Sequence, residues 1–297
     1  MSFRKYIYYF KFFLKSTLLH PIQSIKELSS DISKDKKGHQ FSSQNYFVWC
    51  AGLPKSGTTL IEEIFEILPY VNMSNSLKRI YYPGKLDHDH GVSEIMMSGV
   101  PDNKYTFLKT HTHFSEKYEK IVTQKNAKII ISVRDLRDMM ISRYYHILAD
   151  KTHWFHESIK DLSFEDGFIK SINKKKRNEK ENSVIEYYYF WIENWLKIAN
   201  QKKYLVLWYE DYIDNPINYV QKILNYINFD EFSAEDILEQ IKVKKNSIFN
   251  KSLFKYGRKK STFRVGKKDQ WREKFNDRIE ESFNVALPKN LKYILKS

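Results

Sequence analysis

The sequence predicts an α/β protein, a parallel central sheet flanked by helices, and three observations predict it. Short apolar runs of strand length alternate with segments of helical periodicity between residues 46 and 241, as in strands joined by crossover helices. The first apolar run leads directly into the small-residue loop Ala51-Gly52-Leu53-Pro54-Lys55-Ser56-Gly57-Thr58-Thr59, and a helical pattern follows. The chain has 297 residues, 42% hydrophobic and 29% charged, which suits one large α/β domain or two small ones and argues against general disorder.

In chain order, residues 2–20 form a basic, aromatic helical pattern in which Lys11 and Lys15 interrupt the apolar residues. No small-residue cleavage site follows, which argues against a secretory signal. Such a helix either packs on its own domain or lies on a membrane surface. Residues 30–44 are polar and read as a linker, so residues 1–40 are an N-terminal helical extension with its linker, and 41–297 are the main domain. Within it, strands are expected at Tyr46–Cys50, Thr106–Lys109, Lys128–Val133 and Tyr204–Trp208. Helices are expected at Thr58–Leu68, Leu136–Ala149, Ser183–Ala199, and near Ile217–Ile227 and Ala234–Ile241, with Trp191 and Trp195 on one face of the third. Sheets of this kind bind ligands beyond the carboxyl ends of their strands.

A formal net charge of +14 calls for an anionic partner: nucleic acid, a membrane surface or a phosphate-rich small molecule. The single cysteine, Cys50, excludes an internal disulfide and a cysteine-cluster metal site. No run approaches the roughly 18 apolar residues of a membrane span. The charge is uneven. Residues 242–274 carry 13 Lys or Arg against 2 acids, and residues 1–40 carry 8 against 3. Phe249, Phe254, Phe263 and Trp271 interleave the first of these segments, which favours a folded anion-binding segment over a solvated tail.

Strand, small-residue loop and helix together turn backbone N–H groups and a helix N-terminus toward an anion. Gly57 permits close backbone approach, Thr58 and Thr59 add hydroxyl donors, and Lys55 adds a point charge. An ordinary strand-to-helix loop with a capping Thr is the bland alternative. The loop is not a Walker A loop: Thr58 stands where a nucleoside-triphosphate enzyme needs Lys, and that lysine lies inside the loop instead. Pro54-Lys55-Ser56-Gly57-Thr58-Thr59 resembles the 5′-phosphosulfate loop of the sulfotransferases that use 3′-phosphoadenylyl sulfate (PAPS). The resemblance implies a P-loop, nucleotide-kinase-like sulfotransferase fold in which Lys55, Ser56, Gly57, Thr58 and Thr59 bind the donor.

Further matches support it. Arg134 ends the strand Lys128–Val133, and Ser142 lies eight residues on along the following helix; an arginine fork and a hydroxyl so placed suit one phosphate. Pairing of Arg134 with Asp135 or Asp138 is the structural alternative. Arg134 and Ser142 have the spacing of the family's 3′-phosphate motif, which leaves Arg137 and Arg143 as surface or salt-bridge residues. Phe263-Arg264-Val265-Gly266, followed by Trp271-Arg272-Glu273-Lys274-Phe275, resembles the family's Arg-x-Gly loop, which implies that Arg264 and Gly266 close over the nucleotide. Asp269-Gln270 departs from the usual Gly-Asp before the tryptophan. Tyr209-Glu210-Asp211 resembles the family's Tyr-Glu-Asp, which places Tyr209 at the adenine, and Ser247-Ile248-Phe249 stands in for a Thr-x-Phe element that holds the base. Leu60 replaces a stacking tryptophan of cytosolic members, so one side of the adenine pocket is aliphatic.

Sulfuryl transfer to a hydroxyl needs a base for the acceptor proton and positive charge on the moving oxygens. Lys109-Thr110-His111 ends a strand, and Lys-Thr-His is what the cytosolic sulfotransferases carry at their catalytic histidine. His111 is the expected base and Lys109 the stabilising cation, with Lys55 at the bridging oxygen. His113 shares the strand parity but lies farther out. Golgi and tyrosyl-protein members use a Glu after the phosphate-loop helix; Asn72-Met73-Ser74-Asn75-Ser76 offers no acid there, and Glu62 and Glu63 read as structural helix residues. Asp87-His88-Asp89-His90 lacks partners for a metal site and borders the acceptor pocket or is solvated. No metal is expected.

The resemblance thus implies transfer of a sulfuryl group from PAPS, with adenosine 3′,5′-bisphosphate (PAP) released, to a hydroxyl or amine of a small-molecule, lipid or carbohydrate acceptor. Residues 1–28 offer a peripheral membrane contact, nucleic acid is not expected as a partner, and a cytoplasmic location follows. A Mg·ATP-dependent P-loop kinase, or a non-enzymatic binder of anionic membrane or nucleic acid, is the alternative. The acceptor is open: Tyr81, Tyr82, Trp154 and Phe155 either line its pocket or belong to the core.

Overall fold

Phe47–Gly52 forms β1, and all six of its residues are buried, as expected of an apolar run in the middle of a parallel sheet. The computed structural model describes residues 47–68, 71–73, 105–114, 127–174, 183–249 and 266–287. The N-terminal helix and linker, Tyr81 and Tyr82, the Asp87–His90 loop and Arg264 lie outside the described residues. After β1 come α1 (Thr58–Ile67), β2 (Val71–Met73), β3 (Tyr105–Thr110), β4 (Lys128–Val133), α2 (Leu136–Ala149), α3 (His156–Ile159), α4 (Phe164–Asn173) and α5 (Val184–Lys202). They are followed by β5 (Leu205–Trp208), α6 (Tyr209–Asp214), α7 (Pro216–Ile227), α8 (Ala234–Phe249), α9 (Gln270–Lys274) and α10 (Asp277–Val285). The strands form one sheet of order β2-β3-β1-β4-β5. The fold class is the one the sequence predicts.

The chain divides into two units, residues 1–51 with 59–130 and residues 52–58 with 131–297. In the first, β1 and β3 pair in parallel from Phe47↔Thr106 to Ala51↔Thr110, and β2 joins β3 at Val71↔Tyr105. Trp49 is fully buried, and its indole N–H donates to Thr110 Oγ1 at 2.8 Å, satisfying a group that burial would otherwise penalise. α1 buries Ile61, Ile64 and Phe65. The Phe65 ring stacks on Phe107 of β3 with centroids 4.5 Å apart, which fixes the helix on the strand.

In the second unit, the helices start and stop where local chemistry dictates. Asp135 caps α2 by accepting the Arg137 N–H. Ser183 and Glu186 form a reciprocal capping box on α5, a device whose loss typically costs about 1 kcal/mol. Trp191 and Trp195 share the buried face of α5, as their spacing predicts, with ring centroids 5.8 Å apart. α7 opens with Asn215 as cap and Pro216 at its first position, and closes on Asn228 in the left-handed conformation. Tyr144, Phe164, Phe168, Phe275 and Phe283 form a chain of ring contacts that joins α2, α4 and the C-terminal segment. Among the described residues, no helix is long and apolar enough to cross a membrane.

Three elements depart from expectation. β2 has only three residues, too few for a periodic signal. The helix expected to end near Ile241 continues to Phe249, so Ser247 and Phe249 lie on α8; their side chains are outside the described residues. Arg143 is not a surface residue: it is buried within 3.4 Å of the Ser171 carbonyl, because α2 is covered on more than one face and its guanidinium points between helices.

Candidate active site

The phosphate loop is built by a tight turn. Leu53 O accepts both the Ser56 N–H, at 3.2 Å, and the Ser56 hydroxyl, at 2.7 Å. Pro54 and Lys55 occupy the centre of the turn, and Lys55 has φ 75°, the left-handed geometry that a type II turn requires after proline and that glycine adopts more easily. The Ser132 hydroxyl on β4 donates to Ser56 O at 2.8 Å and so fastens the loop from below. Ser56 is 1% exposed, and the structure uses its hydroxyl inside the loop. Gly57 has φ 102°, and a Cβ there would sit 2.9 Å from Tyr209 Cδ2; the tyrosine ring lies against bare backbone. A Cβ on Gly52 would lie 2.3 Å from Thr58 Cγ2 and 2.9 Å from Ser132 Cβ. Thr58 is buried and Thr59 exposed where α1 begins, and the first-turn N–H groups of any helix lack helical partners.

Arg134, at the end of β4, gathers this unit. Its Nη1 lies 3.4 Å from Lys55 O and its Nη2 donates to Lys267 O at 3.0 Å. The guanidinium stands 4.7 Å over the Tyr209 ring. Asp138 Oδ2 is 3.7 Å from Nη2, and Glu210 Oε1 is 4.0 Å from Nε. The side chain is almost fully buried, yet Nε has no hydrogen-bond partner among the described residues. The ion pair with Asp138 that the sequence allowed is therefore present, while Asp135 pairs with Arg137 at 2.5 Å. Burial pushes the Asp138 carboxyl up against the pull of Arg134, and pushes Glu210 up to about 7. Glu210 Oε1 accepts the Asp135 N–H at 3.1 Å.

The C-terminal segment docks on α2. Asp138 Oδ1 accepts the Trp271 N–H at 3.0 Å, and the Trp271 ring lies 3.6 Å from the Arg137 guanidinium and 4.6 Å from that of Arg272. Gly266, where the described part of this segment begins, has φ 63°. Lys55, Gly57, Arg134, Tyr209 and Lys267 thus meet around one guanidinium, while Ser142 stands two turns along α2, half-buried. Sequence reasoning missed Ser132, Glu210 and Lys267 as partners. Ser132 had a signal, being the one hydroxyl in the otherwise apolar run Ile129–Val133. Glu210 and Lys267 had none, because they approach Arg134 from 76 and 133 residues away in the chain.

The first unit holds the other predicted residues. Lys109 Nζ pairs with Glu62 of α1, and both side chains are more than four-fifths buried. From Thr110 to His113 exposure alternates: Thr110 and Thr112 are buried, His111 and His113 half-buried. The strand parity that groups Lys109, His111 and His113 on one face therefore persists beyond β3. The register Ala51↔Thr110 means that the residues after Ala51 and those after Thr110 leave the sheet at the same end.

A family described as the sulfotransferase domain matches residues 47–294. Flavonol 3-sulfotransferase of Flaveria bidentis is 23% identical over 269 residues, covering 82% of this chain and 81% of that protein. Sulfotransferase 1A1 of Rattus norvegicus is 25% identical over 227 residues, 68% of this chain and 69% of that one. Among solved structures, mouse sulfotransferase SULT7A1 complexed with PAP superposes with a TM-score of 0.55 at 17% identity, over 83% of this chain and 85% of that one. Retinol dehydratase in complex with androsterone and inactive cofactor PAP gives 0.55 at 18% identity, over 84% and 82%.

Proposed function

The chain belongs to the sulfotransferase family, and we propose that it is a PAPS-dependent enzyme in which His111 takes the acceptor proton while Lys109 and Lys55 balance the moving charge. Family membership sets aside the kinase and the non-enzymatic binder. The observation that carries the proposal is that Lys109, His111 and His113 share one half-buried face as the chain runs off the carboxyl end of β3. A parallel sheet gathers its chemistry at that end.

The residues present fit the donor. Among the described residues Arg134 has a buried Nε without a hydrogen-bond partner, its Nη1 lies 3.4 Å from the Lys55 carbonyl of the phosphate loop, and that loop lies so close to Tyr209 that no Cβ fits at Gly57. Lys55, Ser56, Gly57, Thr58 and Thr59 would hold the 5′-phosphosulfate, with Ser56 acting through its shaping of the loop. Arg134 and Ser142 would hold the 3′-phosphate together with Gly266 and Arg264, and Tyr209, Ser247 and Phe249 the adenine. When bound, PAPS supplies the activated sulfuryl group. A lysine that occupies a left-handed position in spite of its side chain supports a role for the Lys55 ammonium itself, facing the bridging oxygen as its bond to sulfur breaks. Neutral His111 accepts the proton as the acceptor oxygen or nitrogen attacks sulfur, and Lys109 offsets the charge on the three sulfuryl oxygens.

His111→Ala tests the assignment. Turnover should fall about 10²–10⁴-fold, with PAP affinity unchanged, because the base does not hold the nucleotide. His113→Ala should be milder and depend on the acceptor. Near-normal turnover of His111→Ala beside an inactive His113→Ala would move the base to His113.

The acceptor is a small molecule, and we assign it a nucleophilic hydroxyl or amine, as on a lipid or carbohydrate. Residues 1–40 form an extension to the catalytic domain 41–297 in this reading, and residues 1–28 a contact with anionic membrane. Deleting residues 1–28 should release the protein from anionic liposomes and leave PAP binding intact; unchanged liposome binding would rule the contact out.

A further inference from the structure

We propose that Glu62 is a positioning residue for Lys109, one that fixes the lysine ammonium at the carboxyl end of β3. The inference rests on the reading of Lys109 as the cation that stabilises the transferring sulfuryl group. Its basis is the way α1 lies on β3. Phe65 stacks on Phe107, and Glu62, three residues earlier on the same helix face, pairs with Lys109, two residues later on the same strand face. Helix and strand are thus matched side chain by side chain, running in opposite directions. The same step repeated leads from Glu62 to Thr59 and from Lys109 to His111, toward the N-terminus of α1 and the end of the sheet where the chemistry is expected.

A lysine side chain is a point charge on a flexible four-carbon stem, with many rotamers of similar energy. Glu62 removes that freedom. Its carboxylate is mounted on α1, which the Phe65–Phe107 stack fixes on β3, so the ammonium is held from a packed helix. Both side chains are more than four-fifths buried, which weakens solvent screening relative to a surface pair. An ammonium has three N–H donors; the contact with Glu62 engages one and leaves the others for sulfuryl oxygens. In this role Glu62 acts through Lys109.

The test is a double-mutant cycle of Glu62→Gln and Lys109→Ala on the full chain. It is read as turnover, KM for PAPS, PAP affinity and melting temperature. Glu62→Gln keeps the shape and removes the charge, and it should lower turnover roughly ten- to a hundredfold through misplacement of the ammonium. PAP affinity should be unchanged, and the loss should vanish in the Lys109→Ala background. Glu62→Asp, which keeps the charge with a shorter reach, should fall between Glu62→Gln and wild type, and it serves as the test should Glu62→Gln not fold. If Lys109→Ala is damaged while Glu62→Gln turns over normally, the positioning role is wrong and the role of Lys109 stands. If Lys109→Ala turns over normally, the underlying reading of Lys109 fails instead. An undiminished effect of Glu62→Gln without Lys109 would show that Glu62 acts on its own. A loss that follows melting temperature across the series, with Glu62→Asp no better than Glu62→Gln, would reduce the pair to a structural tie.

Discussion

Arg134 donates through Nη2 to the Lys267 carbonyl at 3.0 Å, so the end of β4 and the C-terminal basic segment share one guanidinium. The same guanidinium lies 3.4 Å from the Lys55 carbonyl and 4.7 Å over the Tyr209 ring. Four parts of the chain therefore sense the state of one side chain, which is buried against Asp138 and Glu210.

Arg134→Ala should weaken PAP binding by about 1.5–3 kcal/mol, the worth of a charge-assisted contact. Adenylyl sulfate lacks the 3′-phosphate, and its binding should suffer far less. Calorimetric titration of both ligands decides the matter, since equal losses would place Arg134 away from that phosphate. The variant should also melt earlier, because Asp138 and Glu210 would be left buried without their cation.

Gly57→Ala should be damaging in two ways. The residue has φ 102°, and its new Cβ would meet Tyr209 Cδ2 at 2.9 Å. Strain of this kind costs roughly 1–3 kcal/mol. A Tyr209→Ala second substitution should relieve the clash but not the backbone strain, so denaturant titration of the pair should recover only part of the stability.

Stability should depend on pH through Glu210. Its carboxyl is pushed up to about 7 from the ordinary 4.5, chiefly by burial, so the folded protein binds a proton that the unfolded chain has released. The stabilisation it brings is complete below about pH 4.5 and is lost as pH rises through about 7. Glu210→Gln keeps an acceptor for the Asp135 N–H and has no proton to lose. Its unfolding free energy should decline less between pH 5 and 8 than that of the wild type, by at most about 3 kcal/mol. Identical pH profiles for the two proteins would show that Glu210 does not titrate in this range.

Arg137→Ala removes the cation from one face of Trp271, 3.6 Å from the ring centroid, together with the ion pair to Asp135. The loss should be about 0.5–2 kcal/mol, concentrated in the docking of residues 266–275 on α2. Limited proteolysis should cut that segment sooner, and PAP should slow the cutting. Unchanged protection would mean that the segment's other contacts, among them the Trp271 N–H bond to Asp138 and the Arg134 bond to the Lys267 carbonyl, hold it without Arg137.

Legibility followed the range of the interactions concerned. Lys128–Val133 and Leu136–Ala149 were readable to the residue, because an apolar run and the helical pattern after it are contained in a few neighbouring positions. β2 was not, since three residues carry no period, and the burial of Arg143 was not, since it depends on Ser171 from another helix. In the candidate site, the positions of Lys55, Gly57, Arg134 and Lys109 at or just past strand ends were readable. Their partners were not: Glu62 looked like an ordinary helix residue, and Glu210 like one member of a Tyr-Glu-Asp string.

The sequence alone determined the alternation of strands and helices, the turn at Pro54-Lys55 and the residue types available at the sheet's carboxyl end. Hydrophobic period, turn propensity and capping act over a handful of residues, so all three are written locally. Only the tertiary structure decided that Lys109 is held by Glu62 and that Arg134 is shared among Lys55, Asp138, Glu210 and Lys267. Those pairings join residues 47 to 133 positions apart in most cases. They exist because packing α1 on β3, and the C-terminal segment on α2, brings charges into places where water cannot screen them and each must find a partner.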